Sequence, residues 1–395
     1  MTVYTEKMHV MNTYARWDVT IVKGSGTTVW DHTGKAYLDC TSGIGVTSLG
    51  HCPPAVSAKL HQQLDTLWHS SNVTQHPLQE ELGKKLTELS GLDQVFFCNS
   101  GAEANEAAIK LARRYAQKTK NEDRFEIITF EQSFHGRTLA TLTATGQQKV
   151  KEGFNPLPAG FITVPYGDVE AVKNVTTNQT CAVLLELVQG EGGVHPASME
   201  FVTELYAWCK SNDILLMIDE VQTGIGRTGE WFSYQHYGIV PDVITLAKGL
   251  GSGFPIGAML ATEAVAAAFS PGSHGTTFGG NQLATTAGMA TLLEMEQQNV
   301  LSHVKAMSEY LLDALKDIAK QYPHQIKGVR GLGLMVGLEM TGEVSGYLKA
   351  AQQKGVLLLQ AGPNVIRLLP ALIIQKSEID QLVLVLKEIL QSGEK

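Results

Sequence analysis

Short apolar runs alternate along this chain with segments of helical period. Ile214–Ile218 is uninterrupted, Val243–Ala247 nearly so, and Gln94–Cys98, Glu126–Phe130 and Cys181–Val188 repeat the pattern. Runs of that length without a polar face predict strands of a parallel sheet buried on both sides. Helical spacing covers 55–69, 77–89, a stretch from Ser100 to about Lys118, and 198–211. The last of these lies between two predicted strands and makes a βαβ crossover. Ile256–Ala261 reads as an edge or antiparallel strand. Near the start, Val19–Gly24 and Thr28–Asp31 predict a hairpin, with Asp31–Gly34 a second turn. Thr41–Pro54 is too rich in glycine and proline for regular structure. Beyond about residue 282 the organisation changes: long helices over 282–298 and 300–321, short strands around 325–340 and 356–369, and helices over 343–354 and 377–392. Together these predict an α/β fold with a mostly parallel sheet, followed by a second domain of α+β type.

Composition narrows the classes. The 395 residues are 44% hydrophobic and 18% charged, ordinary for a large globular chain, and the net charge is −8. That sign argues against nucleic acid and anionic membranes as main partners. Five cysteines, Cys40, Cys52, Cys98, Cys181 and Cys209, are scattered without CxxC spacing. This predicts reduced thiols in a cytoplasmic protein and no zinc site. The opening residues show no basic region followed by an apolar one, so no signal peptide is expected. No apolar run reaches membrane-spanning length.

Polar residues end the apolar runs, and there the chemistry concentrates. In open α/β sheets, ligands sit just beyond the carboxyl ends of the strands. Ile214–Ile218 ends in Asp219-Glu220, and Val243–Ala247 ends in Lys248 followed by Gly249, Gly251 and Gly253. A carboxylate and an amine at neighbouring strand ends suit pyridoxal 5'-phosphate (PLP). The amine can condense with its aldehyde, and the carboxylate can keep its ring nitrogen protonated. Taken alone, a strand-terminal Asp is ordinarily a turn residue or cap, and a Lys before glycine is ordinarily solvated. A third feature reverses that balance: Ser100-Gly-Ala102 joins a strand to a helix start and points backbone amides at an anion. Phe134 can stack on a planar ring and Arg137 can grip a carboxylate. Glu186 interrupts a buried strand and needs a partner. Arg367, one charge in Val365-Ile-Arg-Leu-Leu-Pro370, needs a fixed anion or a ligand carboxylate. His274–Asn281 is a further loop of hydroxyls and glycines able to complete a phosphate site.

Ser100-Gly-Ala-Glu-Ala-Asn-Glu106, Phe134-His-Gly-Arg137, Gln189-Gly-Glu-Gly-Gly193, Asp219–Gly229, Leu246-Ala-Lys-Gly-Leu-Gly251 and Gly275–Asn281 resemble, in order, the signatures of class III PLP-dependent aminotransferases. The resemblance covers essentially the whole chain. It implies the fold type I architecture of PLP-dependent transferases: a large domain over 50–285 and a small one formed by 1–49 with 286–395. It implies that Lys248 carries PLP and moves the substrate proton, Asp219 pairs with the ring nitrogen, Gln222 bonds the ring hydroxyl, and Phe134 stacks on the ring. Ser100, Gly101 and Ala102, with Thr277 and Thr276 from a partner subunit, hold the phosphate or border the substrate. That makes the protein a homodimer with shared sites. Arg367 and Arg137 bind substrate carboxylates, and Glu191 neutralises Arg367 when the substrate is a cation. No metal is implied. Ser42–Val46, Leu49–Cys52, Trp68–Asn72 and Val365–Ile374 are most similar to acetylornithine aminotransferases of arginine biosynthesis, which transfer the terminal amino group of N2-acetylornithine to 2-oxoglutarate, giving glutamate. Ornithine, succinylornithine and 4-aminobutyrate aminotransferases are the alternatives. Ile44 stands where ornithine aminotransferases share a tyrosine, which favours the acylated substrate; Leu187 stands where the family usually has proline.

Overall fold

The computed structural model describes residues 9–392. At its centre lies a seven-stranded sheet whose strands we number along the chain: β1 Gln94–Cys98, β2 Glu126–Phe130, β3 Phe161–Val164, β4 Thr180–Leu185, β5 Leu215–Asp219, β6 Val243–Leu246 and β7 Gly257–Ala261. They lie in the order β1-β7-β6-β5-β4-β2-β3. All neighbours are parallel except β7, which runs against both β6 and β1. The antiparallel reading of 256–261 therefore holds and the edge reading does not. Every residue of β7 is buried, because β1 covers its outer side. The carboxyl ends of β1, β2, β4, β5 and β6 share one rim, and the candidate chemistry lies along it.

Three other elements differ from expectation. The predicted strand 181–188 breaks after Leu185: Glu186 and Leu187 leave the sheet, and Val188–Gln189 pairs with His195–Pro196 as a separate ribbon. The helix expected over 55–69 stops at Leu64. There the Thr66 hydroxyl and the Trp68 indole N–H donate to the Gln62 and Leu64 carbonyls and close the last turn. The helix after Ser100 runs regularly over Gly101–Arg114 and then widens into a π-helical turn over Tyr115–Thr119.

An early and a late segment of the chain meet in one sheet. Ile21–Ser25, Thr28–Asp31 and Ala36–Asp39 form an antiparallel sheet, as the hairpin pattern predicts, and Val356–Leu357 joins it in parallel beside Leu38 and Asp39. The following loop rests on the lysine turn: Ser48 Oγ donates to the Gly249 carbonyl (3.0 Å) and the Leu49 amide donates to Ser252 Oγ (3.0 Å). Within the loop, Ser42–Gly45 makes one distorted turn in which Gly43 and Ile44 are left-handed. The C-terminal part carries an antiparallel sheet of Ile326–Leu332, Met335–Met340, Val365–Leu368 and Leu359–Ala361, backed by helix Val300–Gln321, on which helix Lys376–Ser392 packs.

Residues 1–8, where a leader was sought, lie outside the described residues. Among those described, no helix is long and apolar enough to cross a membrane. The five cysteines are free, and only Cys52 is exposed. No group of three or more His, Cys, Asp or Glu among the described residues is placed to hold a metal ion.

Candidate active site

A cavity of about 240 Å³ opens beyond the carboxyl ends of β4, β5 and β6. Asp219, the last residue of β5, forms its floor and is 4% exposed. Its Oδ2 is held by Asn105 Nδ2 and His135 Nδ1, each at 2.8 Å, and its Oδ1 accepts the Val221 amide at 3.0 Å. Asn105 is fixed in turn by Thr245 Oγ1 (2.7 Å) and by the His135 carbonyl (2.8 Å). A buried carboxylate so bound has one orientation, and its charge is directed at whatever occupies the cavity.

Lys248 follows β6 after Ala247 with a φ of 41°. A left-handed backbone at a residue with a long side chain is strained, and such strain collects at functional sites. Burial pushes the Lys248 amine below its ordinary pKa; Glu191 opposes this and Arg367 reinforces it, with Asp219 and Glu186 also opposing.

A helix N-terminus forms one wall. Ser100 Oγ accepts the Glu103 amide at 3.2 Å, and Glu103 returns a carboxylate oxygen to the Asn99 amide at 2.5 Å. This capping leaves the Gly101 and Ala102 amides without a partner among the described residues, at the positive end of the helix dipole. Two glycines keep the wall thin. A Cβ at Gly101 would come within 2.6 Å of Val221, and one at Gly136 within 2.5 Å of Thr141 Oγ1.

Phe134 and Arg137 border the mouth, the guanidinium carbon lying 5.4 Å from the phenyl centroid. Arg137 is exposed there. Arg367 approaches from the C-terminal sheet, 2% exposed. Its Nη1 donates to Glu191 Oε1 at 2.6 Å and to Gln222 Oε1 at 3.4 Å, and its Nε is buried with no partner. Glu191 keeps 32% of its side-chain surface exposed. Burial works to raise its pKa, but Arg367 overrides this and holds the carboxyl below the usual range.

The sequence-predicted residues Gly101, Ala102, Phe134, Arg137, Glu191, Asp219, Gln222 and Lys248 thus meet in one cavity, with Arg367 behind Glu191. Ser100 caps the helix and lines an adjoining cavity that shares Gly101 and Lys248. Thr276 and Thr277 are not brought in. Thr276 Oγ1 accepts from Asn99 Nδ2, and Thr277 and Phe278 face outward from this chain.

Asn105, His135 and Glu186 line the cavity without having been assigned a role from the sequence. Glu186 had shown only that it needed a partner. It has one in the Phe134 amide, which donates to Glu186 Oε2 at 3.0 Å. Burial raises the Glu186 carboxyl to about 7, with His135 opposing and Asp219 adding to the rise.

The comparisons with known proteins agree with this geometry. The family described as Aminotransferase class-III matches residues 10–390. The chain is 52% identical over 380 residues to an acetylornithine aminotransferase of Oceanobacillus iheyensis, covering 96% of this chain and 95% of the relative. It is 51% identical to that of Bacillus subtilis, covering 96% and 97%. This chain is a class III aminotransferase. Among solved structures, an ornithine aminotransferase from Toxoplasma gondii superposes with a TM-score of 0.94 at 30% identity, covering 98% of this chain and 93% of that one. An N-acetylornithine aminotransferase from Stenotrophomonas maltophilia superposes at 0.83 and 36%, covering 96% and 97%.

Class III aminotransferases depend on PLP, and the cavity passes the chemical test for it. It offers an amine, a rigidly held carboxylate, two unpartnered amides at a helix start and an aromatic face within one enclosure. Groups of these kinds suit, in turn, an aldehyde, a ring nitrogen, a phosphate and a planar ring.

Proposed function

We propose that this class III aminotransferase moves the terminal amino group of N2-acetylornithine to 2-oxoglutarate, giving N-acetylglutamate 5-semialdehyde and glutamate, a reaction of arginine biosynthesis. The observation that carries the reading is the Arg367–Glu191 pair beside the cavity of Lys248 and Asp219. One site must accept two unlike substrates in succession: an acylated amino acid with a cationic tail, then a dicarboxylate. Arg367 compensated by Glu191 presents little net charge to the cationic tail. With Glu191 turned away, the guanidinium grips the α-carboxylate of 2-oxoglutarate in bidentate fashion. Arg137 at the mouth takes the other carboxylate of that substrate, or the α-carboxylate of acetylornithine.

When bound, PLP supplies an aldehyde that condenses with amines and a ring that withdraws electrons. Asp219 holds a proton on the ring nitrogen, and its three donors keep it there. Gln222 donates to the ring hydroxyl, and Phe134 covers one ring face. Lys248, its pKa lowered by burial, would, once the substrate amine has released it from the cofactor, move the proton between the substrate carbon and the cofactor's aldehyde carbon. Gly101 and Ala102, with Ser100 behind them, hold the phosphate. Thr277, which faces outward, and Thr276 beside it serve the site of a second subunit, which makes the working protein a homodimer. The scattered free cysteines fit a reducing compartment such as the cytoplasm.

Ile44 supports the acylated substrate over free ornithine. It lies in the loop whose Gly45 approaches Gln222, and it brings no hydroxyl for a second ammonium. A panel of acetylornithine, succinylornithine, ornithine and 4-aminobutyrate, each with 2-oxoglutarate, tests the reading. We expect kcat/KM for acetylornithine to exceed that for ornithine by at least about tenfold. Equal or better turnover of ornithine would overturn the assignment.

A further inference from the structure

Glu191 is carried on a turn whose shape the catalytic residues do not determine. Gln189–Val194 leads away from the short ribbon strand, and Val194 closes it with a φ of 56°. A β-branched residue in the left-handed region is strained and stays there only when its surroundings hold it. The holding group is Arg330, in strand Ile326–Leu332, outside the cavity. Its Nε–H is shared between two successive carbonyls of the turn, Gly193 O at 2.9 Å and Val194 O at 3.0 Å. Its Nη1 is paired with the Glu339 carboxylate on the neighbouring strand, and its Nη2 lies 3.4 Å from His195 Nε2.

The same hairpin also positions the partner of Glu191. Gly337 in strand Met335–Met340 sits opposite Arg367 in the sheet register. Val194 packs on Gly337 so closely that a Cβ there would come within 3.0 Å of the valine. At the other end of the turn, a Cβ at Gly190 would meet Met335 at 2.8 Å. The backbone that carries Glu191 and the strand that faces Arg367 are thus locked together, with Arg330 as the polar part of the lock.

We propose that Arg330 is a positioning residue for Glu191: by gripping the Gly193 and Val194 carbonyls it holds the strained turn that keeps Glu191 against Arg367, and so sets the balance between the cationic donor and the dicarboxylate acceptor. The proposal rests on the function assigned above. Without the grip, the turn relaxes away from its left-handed valine and Glu191 spends less time on Arg367. Arg367 is then more often uncompensated, which disfavours the cationic donor and leaves the dicarboxylate as well bound or better.

The test is Arg330→Met in the holoenzyme, with each half-reaction followed separately by single-turnover absorbance of the cofactor. We expect the donor KM to rise roughly tenfold and the 2-oxoglutarate KM to stay level or fall, with the maximal single-turnover rates changed less than about threefold. In a Glu191→Gln background the same substitution should leave the ratio of the two KM values unchanged, because the group it positions is gone. Arg330→Lys keeps the charge but loses the shared carbonyl contact; it should shift the ratio in the same direction and substitutes for Arg330→Met if that variant fails to retain cofactor. Equal changes in both half-reactions, or the same ratio shift with and without Glu191, would overturn the proposal. A wild-type enzyme inactive on both substrates would overturn the functional reading, and the proposal with it.

Discussion

Glu186 lies in the cavity, close to Asp219 and Lys248, and among the described residues no basic side chain is bonded to its carboxylate. The bonded donor found there is the Phe134 backbone amide, so burial dominates and the folded protein binds its proton more tightly than the unfolded chain. The sign follows. With the folded value raised from 4.5 to about 7, the stability that Glu186 contributes is fully present below about pH 4.5 and is lost as pH rises through about 7. Glu186→Gln removes this dependence. In cofactor-free protein, the melting temperature of the variant relative to wild type should therefore climb by several degrees between pH 5 and pH 8. Parallel curves from differential scanning calorimetry would rule the account out. At this scale the sequence was informative where a single residue breaks a pattern. Asp219, Lys248, Glu186 and Arg367 each interrupt or end an apolar run, and each proved to face the cavity or its immediate support. Asn105 and His135 interrupt nothing. One sits on an alanine-rich helix and the other in a polar loop, and their meaning lies in a carboxylate more than eighty residues away that only the folded chain brings near.

The elements around the cavity are thin by design of sequence, and that can be tested at Gly136. Its φ of 142° is one that side-chain-bearing residues rarely adopt, and an added methyl would press on Thr141 and Ala102. Gly136→Ala should cost about 1–3 kcal/mol in stability. It should also weaken PLP binding by roughly tenfold or more, because Ala102 belongs to the phosphate cradle. Titration of cofactor-free protein with PLP, followed by absorbance, measures this, and unchanged affinity would refute it. Periodicity located most helices and the buried strands, since burial on both faces leaves a continuous apolar run. It missed β3, whose four residues are mostly half-exposed at the sheet edge. It also ran β4 on to Val188, because apolar pattern cannot reveal that the backbone changes hydrogen-bonding partners after Leu185.

For the molecule as a whole, the outward face that carries Thr277 also exposes large apolar groups: Phe278, Trp68 and Val73 are 59%, 62% and 92% exposed. Asn72 ties the Trp68–Val73 loop to the threonine loop through the Thr276 and Gly279 carbonyls. Exposed apolar residues held together in this way mark a surface for another protein, and the shared-site reading makes that protein a second copy. Sedimentation should find a particle of twice the chain mass. Thr277→Ala should lower PLP affinity severalfold although the residue lies outside its own chain's cavity. A monomer, or an affinity indifferent to the substitution, would exclude sharing.

The seam between the first strands and Val356–Leu357 has a bearing on how the protein is made. The turn that presents Lys248 leans on Ser48 and Leu49, and that loop continues from a strand whose parallel neighbour is synthesised only after most of the chain. A ribosome therefore emits the lysine, the acid and the helix start at Ser100 before the Ala36–Asp39 strand can gain its second partner, Val356–Leu357, and the four-stranded sheet at this seam is completed late.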